Sequence, residues 1–142
     1  MLLVVDANVL FSALIAHGKT REMLYSDRLV LMAPEYIFTE IEAHLDTITE
    51  KSGLSKQELM IAISLIKERI DVIPKDDFDD HLKEANVICP DPDDTEYQAL
   101  AISQDAMVWS DDKKLKEQNR VISTSELISE MERFSPGASC RT

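Results

Sequence analysis

Leu2-Leu3-Val4-Val5 is an apolar run with no polar alternation, and it stops abruptly at Asp6. Such a run predicts a short strand covered on both faces, as in a parallel sheet. Leu29 to Ala33, Ala106 to Trp109 and Arg120 to Ile122 read as further short strands, and Asp71 to Ile73 as another. Helical periodicities lie between them, an alternation that predicts βαβ units and an α/β fold. After Pro34, residues Ile37, Phe38, Ile41, Leu45 and Ile48 fall on one helical face, which predicts a single helix ending near Ser52-Gly53. Ser55 with Glu58 makes a capping box that opens a second helix, running to about Ile70. Along it Leu59, Met60, Ile61, Ala62, Ile63, Leu65, Ile66 and Ile70 cover more of the circumference than one core-facing stripe needs. A second buried contact is implied; we expect it between two helices of the same chain, with a homodimer or partner interface as the other reading. Asp93 with Glu96 and Ser123 with Glu126 have the cap spacing of two later helices, the first packing through Tyr97, Leu100 and Ala101 and the last running through Arg133.

A chain of 142 residues accommodates one core, since about 150 residues bury roughly 68 to 70% of their unfolded surface. We expect that domain over 1–134 and a flexible tail over 135–142, where little is available to pack. Cys89 and Cys140 are far apart and near no histidine at zinc-ligand spacing, so both read as free thiols in a reducing, cytoplasmic compartment. The opening five residues predict neither a secretion signal nor a membrane span. The net charge of −12 argues against a surface that grips nucleic acid all over, so any such contact is local and assisted by cations.

Candidate chemistry follows from topology. Parallel strands joined by right-handed crossovers place their carboxyl ends on one edge, where open α/β sheets bind ligands. Asp6 follows the first predicted strand, Asp111 and Asp112 follow the strand ending at Trp109-Ser110, and Asp94 lies in the turn entering a helix. The helix after Ala33 opens at the same edge and brings in acids of the stretch from Glu35 to Glu42, although periodicity does not choose between Glu40 and Glu42. Two unit charges about 4 Å apart repel by about 4 kcal/mol at an effective dielectric near 20, so the cluster needs metal or protons. All-oxygen donors suit Mg²⁺ or Mn²⁺, ions that bind phosphate directly and activate water for phosphodiester hydrolysis. Plainer roles stand beside this one: helix capping for Asp93 or Asp94, a surface turn for Asp112, a solvated face for Glu40. Asp6 fits a plain role least, because an acid ending a fully apolar strand is costly without a partner.

The chain resembles the PIN-domain family from Met1 to about Arg133. The resemblance rests on Val4-Val5-Asp6-Ala7-Asn8-Val9-Leu10-Phe11-Ser12, on Ala33-Pro34-Glu35-Tyr36-Ile37-Phe38-Thr39-Glu40-Ile41, on Asp91 through Ala101, and on Val108-Trp109-Ser110-Asp111-Asp112-Lys113-Lys114-Leu115. It implies a three-layer α/β/α sandwich with a central parallel sheet and Mg²⁺- or Mn²⁺-dependent ribonuclease activity. It carries over Asp6, Glu40, Asp94 and Asp112 as catalytic, metal-holding acids, with Asn8 and Ser110 supporting them; Ser110 stands where the family usually has Thr. It also implies RNA as the partner, single-stranded by expectation, and for many small members a toxin role beside an antitoxin. An antitoxin or a second copy would use the helix over 55–70. Lys113, Lys114, Lys116 and Arg120, and also Lys19 and Arg21, are candidates to meet phosphates or are ordinary surface charge.

A haloacid-dehalogenase-type site needs a second Asp two residues after the first, where this chain has Asn8. A P-loop or dinucleotide site needs a Gly-rich turn, and Gly18, Gly53 and Gly137 lie in none. A non-catalytic module of the same fold, binding RNA or protein, is the rival from another class. Trp109 reads as buried rather than base-stacking, and of the scattered histidines His44 is the one nearest the acids.

Overall fold

The apolar runs become the sheet. In the computed structural model, which describes residues 1–88, 92–116 and 120–133 without the side chains of Ile88, Pro92, Asp93, Lys114 and Lys116, five strands form one sheet. They are β1 (Leu2–Val5), β2 (Val30–Pro34), β3 (Ile70–Ile73), β4 (Met107–Trp109) and β5 (Val121–Ile122). Their order is β3-β2-β1-β4-β5 and every pairing is parallel, with Leu3 opposite Leu31 on one side and Met107 on the other. Leu3, Val4 and Val5 have no exposed surface, as a central strand covered by helices on both faces requires. The mixed α/β architecture expected from the alternation is therefore the one found.

The helices are α1 (Ala7–Ile15), α2 (Lys19–Leu24), α3 (Tyr36–Ala43), α4 (Leu45–Ser52), α5 (Lys56–Arg69), α6 (Leu82–Ile88), α7 (Pro92–Gln104), α8 (Lys113–Lys116) and α9 (Thr124–Arg133). Short 3₁₀ turns over Lys75–Asp77 and Asp79–His81 precede α6. The tail expected over 135–142, Cys89 and Cys140 lie outside the described residues.

One predicted helix is two. The chain breaks between α3 and α4 at His44, whose φ of −114° and ψ of 15° are not helical. Its backbone N–H bonds to Ile41 O at 3.1 Å, tightening the turn, while ring Nδ1 lies 2.9 Å from Glu40 O, the carbonyl a continuing helix would use. Ile37, Ile41 and Ile48 still reach one core, which is why a single stripe was legible across the break. Gly53 closes α4 at φ 71°, a left-handed conformation that glycine adopts without steric cost, and its N–H bonds to Thr49 O at 3.2 Å.

The second correction concerns α5. Both arms of its capping box are formed, Ser55 Oγ accepting from Glu58 N–H and Glu58 Oε1 from Ser55 N–H, each at 3.1 Å. Leu59, Ile63 and Ile66 are buried, but Met60, Ile61 and Leu65 are each at least half exposed. The second buried contact expected within the chain is not closed among the described residues: Ile61 and Leu65 stay exposed along one wall of a groove whose other wall includes Leu14, Tyr25 and Leu54.

Arg69, the last residue of α5, fixes the entry to β2. Its Nε donates to Leu24 O at 2.8 Å and its Nη2 to Ser26 O at 2.5 Å and Leu29 O at 2.6 Å.

Candidate active site

Asp6 ends β1 at the carboxyl edge and has only 4% of its surface exposed. Its backbone N–H still bonds to Trp109 O at 3.1 Å, so the residue is tied to the neighbouring strand before α1 begins. The Ser110 hydroxyl donates to Asp6 Oδ2 at 2.8 Å and itself accepts the Asp112 N–H at 3.1 Å. A buried serine thus joins the acid after β1 to the acid after β4. Burial pushes the Asp6 carboxyl above its ordinary value; the Ser110 hydroxyl pulls it down, the Asp112 carboxylate raises it again, and the amides of Ala7 and Asn8 lower it.

Glu40 sits on α3 directly after β2, and its Oε1 accepts the Tyr97 hydroxyl at 2.5 Å. Tyr97 is fully buried on α7. Burial holds its phenol far above the usual range, reinforced by the Glu40 hydrogen bond and by the charges of Glu40 and Asp6, so near neutral pH the hydroxyl is protonated and donates to Glu40. This contact separates the two glutamates that periodicity left equal: Glu40 faces inward, while Glu42 is exposed. Asp94, half-buried, occupies the first turn of α7 three residues before Tyr97.

The acids expected from the sequence therefore come together unequally. Asp6 adjoins Asp112 through Ser110; Glu40 is held separately by Tyr97, whose phenol also feels the Asp6 charge, and Asp94 shares the helix that carries Tyr97. Among the described residues no group of three or more His, Cys, Asp or Glu side chains stands ready to hold a metal ion. The donor set nonetheless fits Mg²⁺ or Mn²⁺, because such ions use one or two carboxylates and complete their octahedron with water and substrate phosphate. A buried carboxylate whose ionisation is resisted by burial and by a second acid beside it is the feature a hard cation would relieve.

Asn8 is exposed at the start of α1, on the same rim, and Lys113 is exposed directly after Asp112. The side chains of Lys114 and Lys116 lie outside the described residues. Arg120 is not at the rim: it precedes β5 at the amino edge of the sheet and pairs with Asp105 at 2.9 Å. Arg21 is likewise engaged elsewhere, with Ala13 O at 2.7 Å and the His17 ring, and Lys19 pairs with Glu22 at 3.2 Å. His44 serves the α3–α4 turn, its ring 5.3 Å from Phe11, rather than the acids.

Asp111 and Asp112 divide their work. The Asp111 carboxylate accepts the Thr124 N–H at 2.7 Å and the Thr124 hydroxyl at 2.6 Å, and that hydroxyl accepts the Trp109 indole N–H at 2.9 Å. Trp109 is fully buried, as expected. Asp111 thus holds the start of α9 against β4, leaving Asp112 on the site side. Asp111→Ala should cost about 1 kcal/mol of stability, the usual value of a lost helix-start acceptor, read as a lowered urea midpoint. An unchanged midpoint would show the clamp to be incidental.

Sequence reasoning took Tyr97 only as a packing residue and did not single out Thr124. The spacing of Asp94 and Tyr97, one helical turn, was the available signal for the former; Thr124 gave none, because its partners are distant in the chain.

The fold is an all-parallel α/β sheet, with acids on the elements that meet at its carboxyl edge, where open sheets of this class bind their ligands. A PIN-domain family model matches residues 4–131, nearly the whole chain, so the protein belongs to the PIN-domain family. That family is a nuclease-type fold whose members typically use divalent metal. No curated protein matches the sequence. No helix among the described residues is long and apolar enough to cross a membrane.

Proposed function

We propose that this chain is a Mg²⁺- or Mn²⁺-dependent endoribonuclease acting on single-stranded RNA in the cytoplasm, with Asp6, Asp94 and Asp112 holding metal and Glu40 completing the set or orienting the attacking water. The observation that carries this reading is the burial of Asp6 at the carboxyl edge, where burial and the neighbouring Asp112 carboxylate both resist its ionisation. The metal supplies charge neutralisation at the phosphate and a more acidic water. The protein's own part is to position: Ser110 holds Asp6, Tyr97 holds Glu40, and exposed Lys113 meets the substrate backbone, joined by Asn8 at the rim. In the hydrolysis, water adds to phosphorus as its proton passes to a carboxylate. The P–O bond to the leaving sugar oxygen breaks, and that oxygen takes up a proton.

The purified chain should cut single-stranded RNA with Mn²⁺ or Mg²⁺, stop on addition of chelator, and lose about a hundredfold or more of its rate in Asp94→Asn with an unaltered circular dichroism spectrum. If Asp94→Asn cuts as fast as the parent, the activity comes from elsewhere. A toxin role is the physiological setting we favour, tested by whether a small antitoxin gene adjoins this one.

One observation favours a second reading, a non-catalytic module. Exposed Ile61 and Leu65 of α5 line a groove of about 490 Å³ with Leu14, Tyr25 and Leu54, and none of the four acids borders it. A partner-binding protein with an idle acidic rim would retain this groove and fail the cleavage test.

A further inference from the structure

The geometry points to Tyr97 as a positioning residue that sets the Glu40 carboxylate for its work in the acidic site, an assignment that rests on the nuclease reading. Three observations combine. Tyr97 has no exposed surface, so its ring cannot swing away without opening the core. Its hydroxyl lies 2.5 Å from Glu40 Oε1, fixing that oxygen across 57 residues of sequence separation. The helix that carries it begins at the carboxyl edge, runs back along β1, β2 and β4, and bears Asp94 one turn earlier.

Glu40 needs such a fixture. It stands on α3 only a short helix away from the break at His44, and a glutamate has three side-chain torsions to settle before its carboxylate has a defined position. A hydrogen bond from a neutral buried donor to an ionised acceptor is among the stronger kinds, and it settles those torsions without adding a charge to the cluster. A lysine or arginine in place of Tyr97 would hold Glu40 as well, but would neutralise the negative potential on which cation binding depends. The phenol orients the acid and leaves its charge in place. Tyr97 touches no reacting atom; it acts through Glu40 alone.

The test compares the parent, Tyr97→Phe, Glu40→Gln and the double variant, each confirmed folded by circular dichroism. Phenylalanine fills the same space, so a packing role survives the change. We expect Tyr97→Phe to lower kcat for single-stranded RNA about tenfold to a hundredfold with KM within about twofold, and to weaken Mn²⁺ binding in calorimetry without RNA by about tenfold, the range for groups that orient metal-site residues. In the Glu40→Gln background the same substitution should change neither quantity further, because the residue through which it acts is already disabled. Tyr97→Phe that binds Mn²⁺ and cuts like the parent overturns the assignment, as does a full additional loss in the double variant. A parent that binds Mn²⁺ but cuts no RNA sinks the nuclease reading alone, and the binding comparison still decides on Tyr97. A parent that does neither overturns both.

Discussion

Asp6→Asn should abolish metal-dependent RNA cleavage, by about a thousandfold or more, while leaving the metal-free chain at least as stable as the parent at neutral pH. The two effects share one cause. Burial raises the Asp6 carboxyl above its ordinary value, with Asp112 adding to the rise, so the folded chain keeps a proton there at a pH where the unfolded chain has lost it. By linkage, Asp6 favours folding most when the pH lies below the ordinary carboxylate value, and that contribution falls as pH climbs through the raised folded one. Asparagine keeps the shape, can accept the Ser110 hydroxyl, and removes the charge, so the variant loses this slope. Unfolding free energies of the two metal-free chains, measured from the acid side to neutrality, should therefore converge at low pH and separate in the variant's favour above it. Mn²⁺ should then reverse the order, stabilising the parent by about 2.7 kcal/mol at a hundred times its Kd and the variant by much less. A variant that cuts at the parent's rate, or a parent whose melting ignores Mn²⁺, would remove Asp6 from the site.

The second large effect lies away from the acids. Arg69→Ala should lower stability by about 3 kcal/mol and the melting temperature by roughly 10 °C. One half-buried guanidinium serves three carbonyls, of Leu24, Ser26 and Leu29, on the segment that delivers the chain into β2. Removing it strips these acceptors of a charged donor, and alanine supplies no other. Arg69→Lys is the sharper control: a single ammonium cannot span the same fork, so lysine should recover less than half of the loss. Denaturation by urea reads both, and a lysine variant as stable as the parent would show that the charge rather than the geometry matters.

Much of the fold could be read from the order of residues because parallel strands buried on both faces announce themselves as unbroken apolar runs. Leu2 to Val5 and the stretch ending at Trp109 are of this kind, and the crossover rule then assigns their ends to one edge. The α3–α4 break could not be read so, since His44 interrupts the hydrogen-bond ladder while Leu45 and Ile48 continue the stripe. The exposed face of α5 shows the opposite failure: periodicity counts apolar residues and does not report whether anything lies beyond them. Within the site, Asp6 was legible because a charge at the end of an apolar strand has few plain explanations. The separate duties of Asp111 and Asp112, and the hold of Tyr97 on Glu40, depend on contacts between segments far apart in sequence. Local pattern carries no trace of such contacts.

The Asp111–Thr124 clamp has a consequence for the order in which a newly made chain becomes competent. Asp6, Glu40 and Asp94 are all synthesised before Asp112, and the Asp111 side of the loop that bears Asp112 is anchored by Thr124, which follows it. While Thr124 is still inside the ribosome, the indole of Trp109 and the carboxylate of Asp111 lack their common anchor. The acidic rim is therefore completed only once α9 has been made, well after Asp6, Glu40 and Asp94 have left the peptidyl-transfer centre.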